Sequence, residues 1–149
     1  MTWGLYYLAK HPEILEKVKE EARLIKKQKH KWELLNLEDV KSMKFMSKVA
    51  EELVRLANIS PFIFRRVAKD DAVINGYKLP KDWKVIVWIR SIHIDSKYYS
   101  DPLAFNPDRW TDFKPKLGTY SVFGAGPRHC PGSSYAKHQV MIFLYHACP

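Results

Sequence analysis

Apolar positions recur at helical spacing from the first residue. Met1 to Leu8 carries such a pattern with neither an N-cap nor a charged leader region before it. Pro12 stands where proline suits a first helical turn, and Glu13 and Glu16 follow where the helix dipole favours carboxylates. Ile14, Val18, Ala22 and Ile25 then define one apolar stripe, with Glu13 and Lys17, and Glu16 and Lys19, paired on the solvent side. Arg23 to Lys31 reads as the helix end and an exposed basic connection. A short helix is predicted near Leu37–Val40. Val49, Leu53 and Leu56 mark another from about Met46 to Ala57, where Glu52 and Arg55 lie three apart and share a face.

The pattern changes after Asn58. Pro61 ends the helical spacing, and Ala72-Val73-Ile74 and Tyr77-Lys78-Leu79 flank Asn75-Gly76, a strong short hairpin signal. Lys84 to Ile92 is apolar on both alternating faces and predicts a strand covered on each side. Asp101-Pro102 and Asn106-Pro107 mark loops, and residues 111–133 hold Gly118, Gly124, Gly126 and Gly132, which predicts irregular chain. Ala136, Val140, Phe143 and Leu144 return to helical spacing and predict a buried helix. The whole reads as mainly α with a small β portion. Both ends fall inside apolar helical segments, so the expectation is a partial domain over residues 1–149, truncated at both ends.

Composition narrows the class. With 46% hydrophobic and 28% charged residues in 149, the chain has enough apolar surface to fold, which excludes a disordered tail or low-complexity array. A net charge of +9 suits an anionic partner or surface. The lysines are interleaved with acids and accompany no recognition-helix, finger or aromatic-sheet motif, so no nucleic-acid partner is expected. Cys130 and Cys148 are too few for a disulfide framework. With His138 and His146 they show no paired zinc spacing. No apolar run approaches the ~18–20 residues of a transmembrane segment.

The chemistry concentrates in Phe123-Gly124-Ala125-Gly126-Pro127-Arg128-His129-Cys130-Pro131-Gly132. Gly124, Gly126 and Gly132 admit positive φ and close backbone approach to a flat ligand. Cys130, two residues from Arg128 and near a helix start, is placed for a thiolate that can bind a soft metal. Arg128 offers a fork of donors to a carboxylate.

This stretch resembles the haem-binding loop of cytochrome P-450 enzymes, Phe, Gly, x, Gly, x, Arg, x, Cys, x, Gly, with all six fixed positions matched. At about 5% per residue such a match arises by chance on the order of once in 10⁸. Glu52-Leu53-Val54-Arg55 resembles the Glu-x-x-Arg pair of the family's K helix, and Pro107-Asp108-Arg109-Trp110 is similar to the segment that closes onto it. The resemblance implies a structural charge triad of Glu52, Arg55 and Arg109 that holds the cysteine loop. It implies haem b as cofactor with Cys130 as the axial iron ligand, and Arg128 and Arg66, with Arg65 as the rival of Arg66, at the propionates. Ser60, Pro61, Phe62, Ile63 and Phe64 then fall in the substrate-contacting segment, suited to a small lipophilic substrate.

By the same resemblance the chain covers the C-terminal part of the fold: end of the I helix, J and K helices, β hairpins, cysteine loop and start of the L helix. The oxygen-activating acid and threonine precede Met1 and the membrane anchor is absent, so no residue of this piece is assigned a catalytic role. A more specific likeness, carried by Asn75 to Val85, Ser91-Ile92-His93-Ile94-Asp95 and Phe105 to Trp110, is to plant members that oxidise terpenoids or steroids, the ent-kaurenoic acid oxidase and β-amyrin 11-oxidase group. The implied activity is monooxygenation with O2 and electrons from an NADPH-cytochrome reductase, at the cytosolic face of the endoplasmic reticulum membrane for the full-length parent. The basic residues Arg23, Lys26, Lys27, Lys29 and Lys31 suit docking of an acidic reductase. The alternative is a non-catalytic truncated product that retains the ligand loop. His93 has no role derivable from the sequence.

Overall fold

The computed structural model describes residues 1–30 and 32–148; Lys31, counted above in the basic connection, and Pro149 lie outside the described residues. Helices α1 (Thr2–Lys10), α2 (Pro12–Lys27), α3 (Leu37–Ser42), α4 (Lys44–Ala57), α5 (Ile89–His93) and α6 (Ser133–Ala147) accompany strands β1 (Phe62–Arg66), β2 (Ala72–Ile74), β3 (Tyr77–Leu79) and β4 (Lys84–Trp88). Short 3₁₀ turns occupy Pro107–Trp110 and Gly126–Arg128. The architecture is mainly helical with two small antiparallel sheets, β1 with β4 and β2 with β3.

The core lies between α1, α2, α4 and α6. The stripe Ile14, Val18, Ala22 and Ile25 is buried, and it meets Met46, Val49 and Leu53 of α4 and Leu144 of α6. Each of the larger side chains, Ala22 excepted, contributes ~1.5–3 kcal/mol on burial. Helix α4 sits at the centre, and its N-terminus is capped from a distance. Met43 at its N-cap makes no side-chain bond. The Glu21 carboxylate of α2 accepts instead from the amides of Phe45 and Met46, at 2.8 and 2.8 Å. Helix α3 is capped locally, by a reciprocal Asn36 and Asp39 box.

The Asn75-Gly76 hairpin forms as the sequence predicts, with Ile74 opposite Tyr77 and φ of 49° and 82° at the two turn residues, the twist a two-residue loop requires. The strand predicted over Lys84 to Ile92 is corrected in two respects. It stops at Trp88, because β1 can pair no further: Phe62 faces Trp88, and Pro61 has no N–H to donate. The Pro61 carbonyl takes the amide of Ile89 at 2.9 Å, and Ile89–His93 turns into α5. Nor is the strand covered on both faces, since only Val85 in β4 is even half-buried.

Two surface readings also change. Glu13 faces His11 rather than Lys17, whose ammonium reaches Asp108 at 3.1 Å, while Glu16 and Lys19 do pair at 3.2 Å. Within the basic connection Lys29 is not exposed: its side chain is 6% accessible and lies 2.6 Å from Asp39 and 2.9 Å from Glu33. No helix among the described residues is long and apolar enough to cross a membrane.

Candidate functional site

The segment Tyr120–Gly132 leaves the core as irregular chain and returns as α6. Gly124 and Gly126 hold φ of 78° and 67°, which L side chains rarely adopt, so the two glycines make the turn possible. The loop closes on itself: the Cys130 amide donates to the Phe123 carbonyl at 2.9 Å, and the Gly124 amide to Ser121 at 2.9 Å. Gly132 is the N-cap of α6, so Cys130 lies just before the helix rather than within it. A Cβ on Gly132 would stand 3.8 Å from the Cys130 sulfur.

Beside this loop opens a cavity of about 880 Å³, bounded by the end of α4, by β1 and by Val122–Cys130. Its wall carries the half-buried Cys130, the guanidinium-bearing Arg65, Arg66 and Arg128, and the apolar Ile59, Ile63, Phe64, Val122 and Phe123. Sulfur, positive charge and apolar surface thus face one space. Of the predicted residues, Phe123, Gly124, Arg128, Cys130, Arg66, Ile63, Phe64 and Ser60 line it. Pro61, Phe62, Gly126 and Gly132 are not on its wall. Arg66 reaches Asp82 at 3.1 Å, and both side chains are largely exposed. Arg65 donates to the carbonyl of Phe64.

Glu52 and Arg55 come together on the buried side of α4, each 0% accessible. Arg55 donates to both carboxylate oxygens, Nε to Oε2 at 2.9 Å and Nη2 to Oε1 at 2.8 Å. Glu52 also accepts from Trp110 Nε1 at 2.9 Å, the Asn106 amide at 3.2 Å and Arg109 Nε at 3.4 Å. Arg55 Nη1 continues to the carbonyls of His93 and Pro102, at 2.6 and 2.8 Å. Arg109 donates to Ser100 and Asp101. None of these bonds reaches the cysteine loop directly: the three charges organise residues 93–110.

The links onward come from residues that the sequence reading did not single out, or left without a role. Buried Tyr99, under the Arg55 guanidinium at 5.0 Å, donates its hydroxyl to the Thr119 carbonyl, and burial pushes its pKa up to about 12. Tyr120 donates to Glu51, which also takes Lys137 of α6 at 2.7 Å, so α4, the loop and α6 share one carboxylate. Burial and that carboxylate raise the Tyr120 pKa. Fully buried His93 spans from Asn58 to the amide of Ser121. Its only sequence signal was a histidine in an apolar run.

A family model described as Cytochrome P450 matches residues 1–147. The chain is 45% identical over 147 residues to beta-amyrin 11-oxidase of Glycyrrhiza uralensis, covering 98% of this chain and 30% of that protein. It is 43% identical over 145 residues to a 7,8-epoxymelianol synthase of Ailanthus altissima, 97% of this chain and 29% of the other. To ent-kaurenoic acid oxidase 2 of Arabidopsis thaliana it is 40% identical over 144 residues, again 97% and 29%. The chain therefore spans about three tenths of the length of these relatives.

Proposed function

The chain belongs to the cytochrome P450 family, and from that premise we propose that residues 1–149 form the thiolate side of the haem pocket of a monooxygenase acting on a terpenoid- or steroid-like substrate. The observation that carries the proposal is the convergence of Cys130, three arginines and an apolar lining on one cavity.

The donor set suits iron protoporphyrin, haem b. A soft sulfur suits iron, guanidinium forks suit its two propionates, and Ile63, Phe64, Val122 and Phe123 suit an apolar ring. Cys130 would hold the iron, with Arg128 and Arg66, or Arg65 in its place, at the carboxylates. When bound, haem supplies one-electron and oxygen chemistry, which thiolate ligation directs toward O–O cleavage. The chain's own part is positional. The Phe123 carbonyl fixes the Cys130 amide, and Gly124 and Gly126 keep side-chain bulk out of the turn. The Glu52, Arg55 and Arg109 group supports the loop indirectly, through residues 93–121. Pro61, Phe62, Ile63 and Phe64 remain the proposed substrate-side segment, with Ile63 and Phe64 the two that face the cavity.

On this reading the residues are part of a larger P450 domain whose whole form takes electrons from an NADPH-dependent reductase at the cytosolic face of the endoplasmic reticulum. A piece with one wall of the pocket turns over no substrate by itself. Exposed Phe64 and Ile59, at 68% and 85%, favour that second statement, because they leave apolar surface uncovered on the cavity side. The test is the ferrous carbon monoxide spectrum of the haem-loaded protein beside Cys130→Ser. The thiolate-type Soret band is expected to vanish in the variant, and an unchanged band would refute the assignment. Sustained NADPH-dependent turnover by residues 1–149 with reductase would refute the second statement.

A further inference from the structure

His93 is 0% accessible, and both ring nitrogens are engaged. A backbone amide can only donate, so the Ser121 N–H at 3.0 Å makes Nε2 an acceptor and puts the ring proton on Nδ1. The group that faces Nδ1 must then be an acceptor. With the Asn58 amide turned accordingly, its oxygen accepts from Nδ1 at 3.2 Å and from the Arg90 amide at 3.3 Å, and its nitrogen donates to Ser60 at 3.3 Å. Every polar atom of the pair is satisfied in that arrangement and in no other.

The two ends of this bridge differ in kind. Asn58 is the left-handed C-cap of α4, its φ 34° and its amide bonded to Val54, a rigid point on the central helix. Ser121 lies in irregular chain two residues before Phe123, whose carbonyl fixes Cys130. The positive charges of Arg55, whose guanidinium donates to the His93 carbonyl, and of Arg90 act on the ring, and the neutral Tyr120 ring lies 6.0 Å away. Burial, and after it these charges, keeps the imidazole neutral, which Nε2 needs to accept.

We propose that His93, as the neutral Nδ1–H tautomer, is a positioning residue that holds the cysteine loop at a set distance from the end of α4 through Ser121. Its consequence for the iron ligand rests on the haem reading above, whereas the bridge itself does not.

Substitutions separate the two ends of the ring. His93→Gln keeps an acceptor near the Nε2 position, and His93→Asn keeps a donor near Nδ1 but gives up the bond to Ser121. In the haem-loaded full chain, exchange of the Ser121 amide is expected to speed up about tenfold in His93→Asn and to stay near wild type in His93→Gln, as loss of one hydrogen bond predicts. The thiolate-type share of the carbon monoxide spectrum should fall in the Asn variant and be rescued in the Gln variant. Equal spectra in wild type and His93→Asn would overturn the positioning role. Nitrogen NMR of unsubstituted protein needs no variant to fold: a protonated Nδ1 with bare Nε2 supports the bridge, and a protonated Nε2 sinks it. The Cys130→Ser spectrum reports on the haem reading separately, because neither the tautomer nor Ser121 exchange depends on it.

Discussion

Glu52→Gln is the sharpest test of what holds the centre of this molecule together. The two carboxylate oxygens face five donors: Arg55 Nη2, Arg109 Nε and the Asn106 amide on Oε1, and Arg55 Nε and Trp110 Nε1 on Oε2. The glutamine amide has one oxygen and one NH₂, so either orientation sets a donor against at least two donors. Arg55, at 0% accessibility, would also lose its only carboxylate partner among the described residues. Stranding a buried charge costs ~3–5 kcal/mol, a large part of the ~5–15 kcal/mol by which domains are stable. With a urea slope of ~2 kcal/mol/M the midpoint should drop by about 2 M. Far-UV circular dichroism during urea titration reads it. Arg55→Met and the pair Glu52→Gln/Arg55→Met close a double-mutant cycle, with an expected coupling of about 1–3 kcal/mol. A loss below about 1 kcal/mol for Glu52→Gln, or strict additivity in the cycle, refutes the claim that these side chains act as one buried unit.

His93 also sets a pH dependence. Burial, then Arg55 and Arg90, lower its pKa from 6.5 to about 4 in the folded protein, so the unfolded chain binds the extra proton between those values. Stability therefore falls as pH drops from 6.5 toward 4, by up to ~1.4 kcal/mol per pH unit. Urea midpoints of wild type and His93→Gln across that window should converge at acid pH, and parallel curves would count against it. Glu21→Ala removes both acceptors at the start of α4 and should lower stability by ~1–2 kcal/mol, visible as a lower melting temperature; Glu20→Ala, on a residue with no such bond, serves as the control. Gly124→Ala forces an L side chain to φ 78° and sets its Cβ 3.6 Å from the Arg128 carbonyl, a cost of ~1–2 kcal/mol. Haem titration should show weaker retention, and wild-type retention would mean that the turn tolerates a side chain.

Much was legible in the chain because it is local. Helix α2 follows from a stripe at helical spacing, the hairpin from Asn75-Gly76, and the family from a loop whose residue types suit one ligand. These signals are written in residues near one another, and each needs only backbone preference or side-chain chemistry to be read. Tertiary structure decided what depends on partners far along the chain. Strand β4 ends at Trp88 because Pro61 opposite has no N–H, α4 is capped by Glu21 from another helix, and the Lys29 ammonium is drawn in from solvent by Asp39, ten residues on. His93 looked like one more histidine in an apolar run. Only packing brought Asn58 and Ser121 to its two nitrogens, since a hydrogen bond depends on distance in space and on the neighbour's donor or acceptor character, neither of which its own stretch of sequence contains.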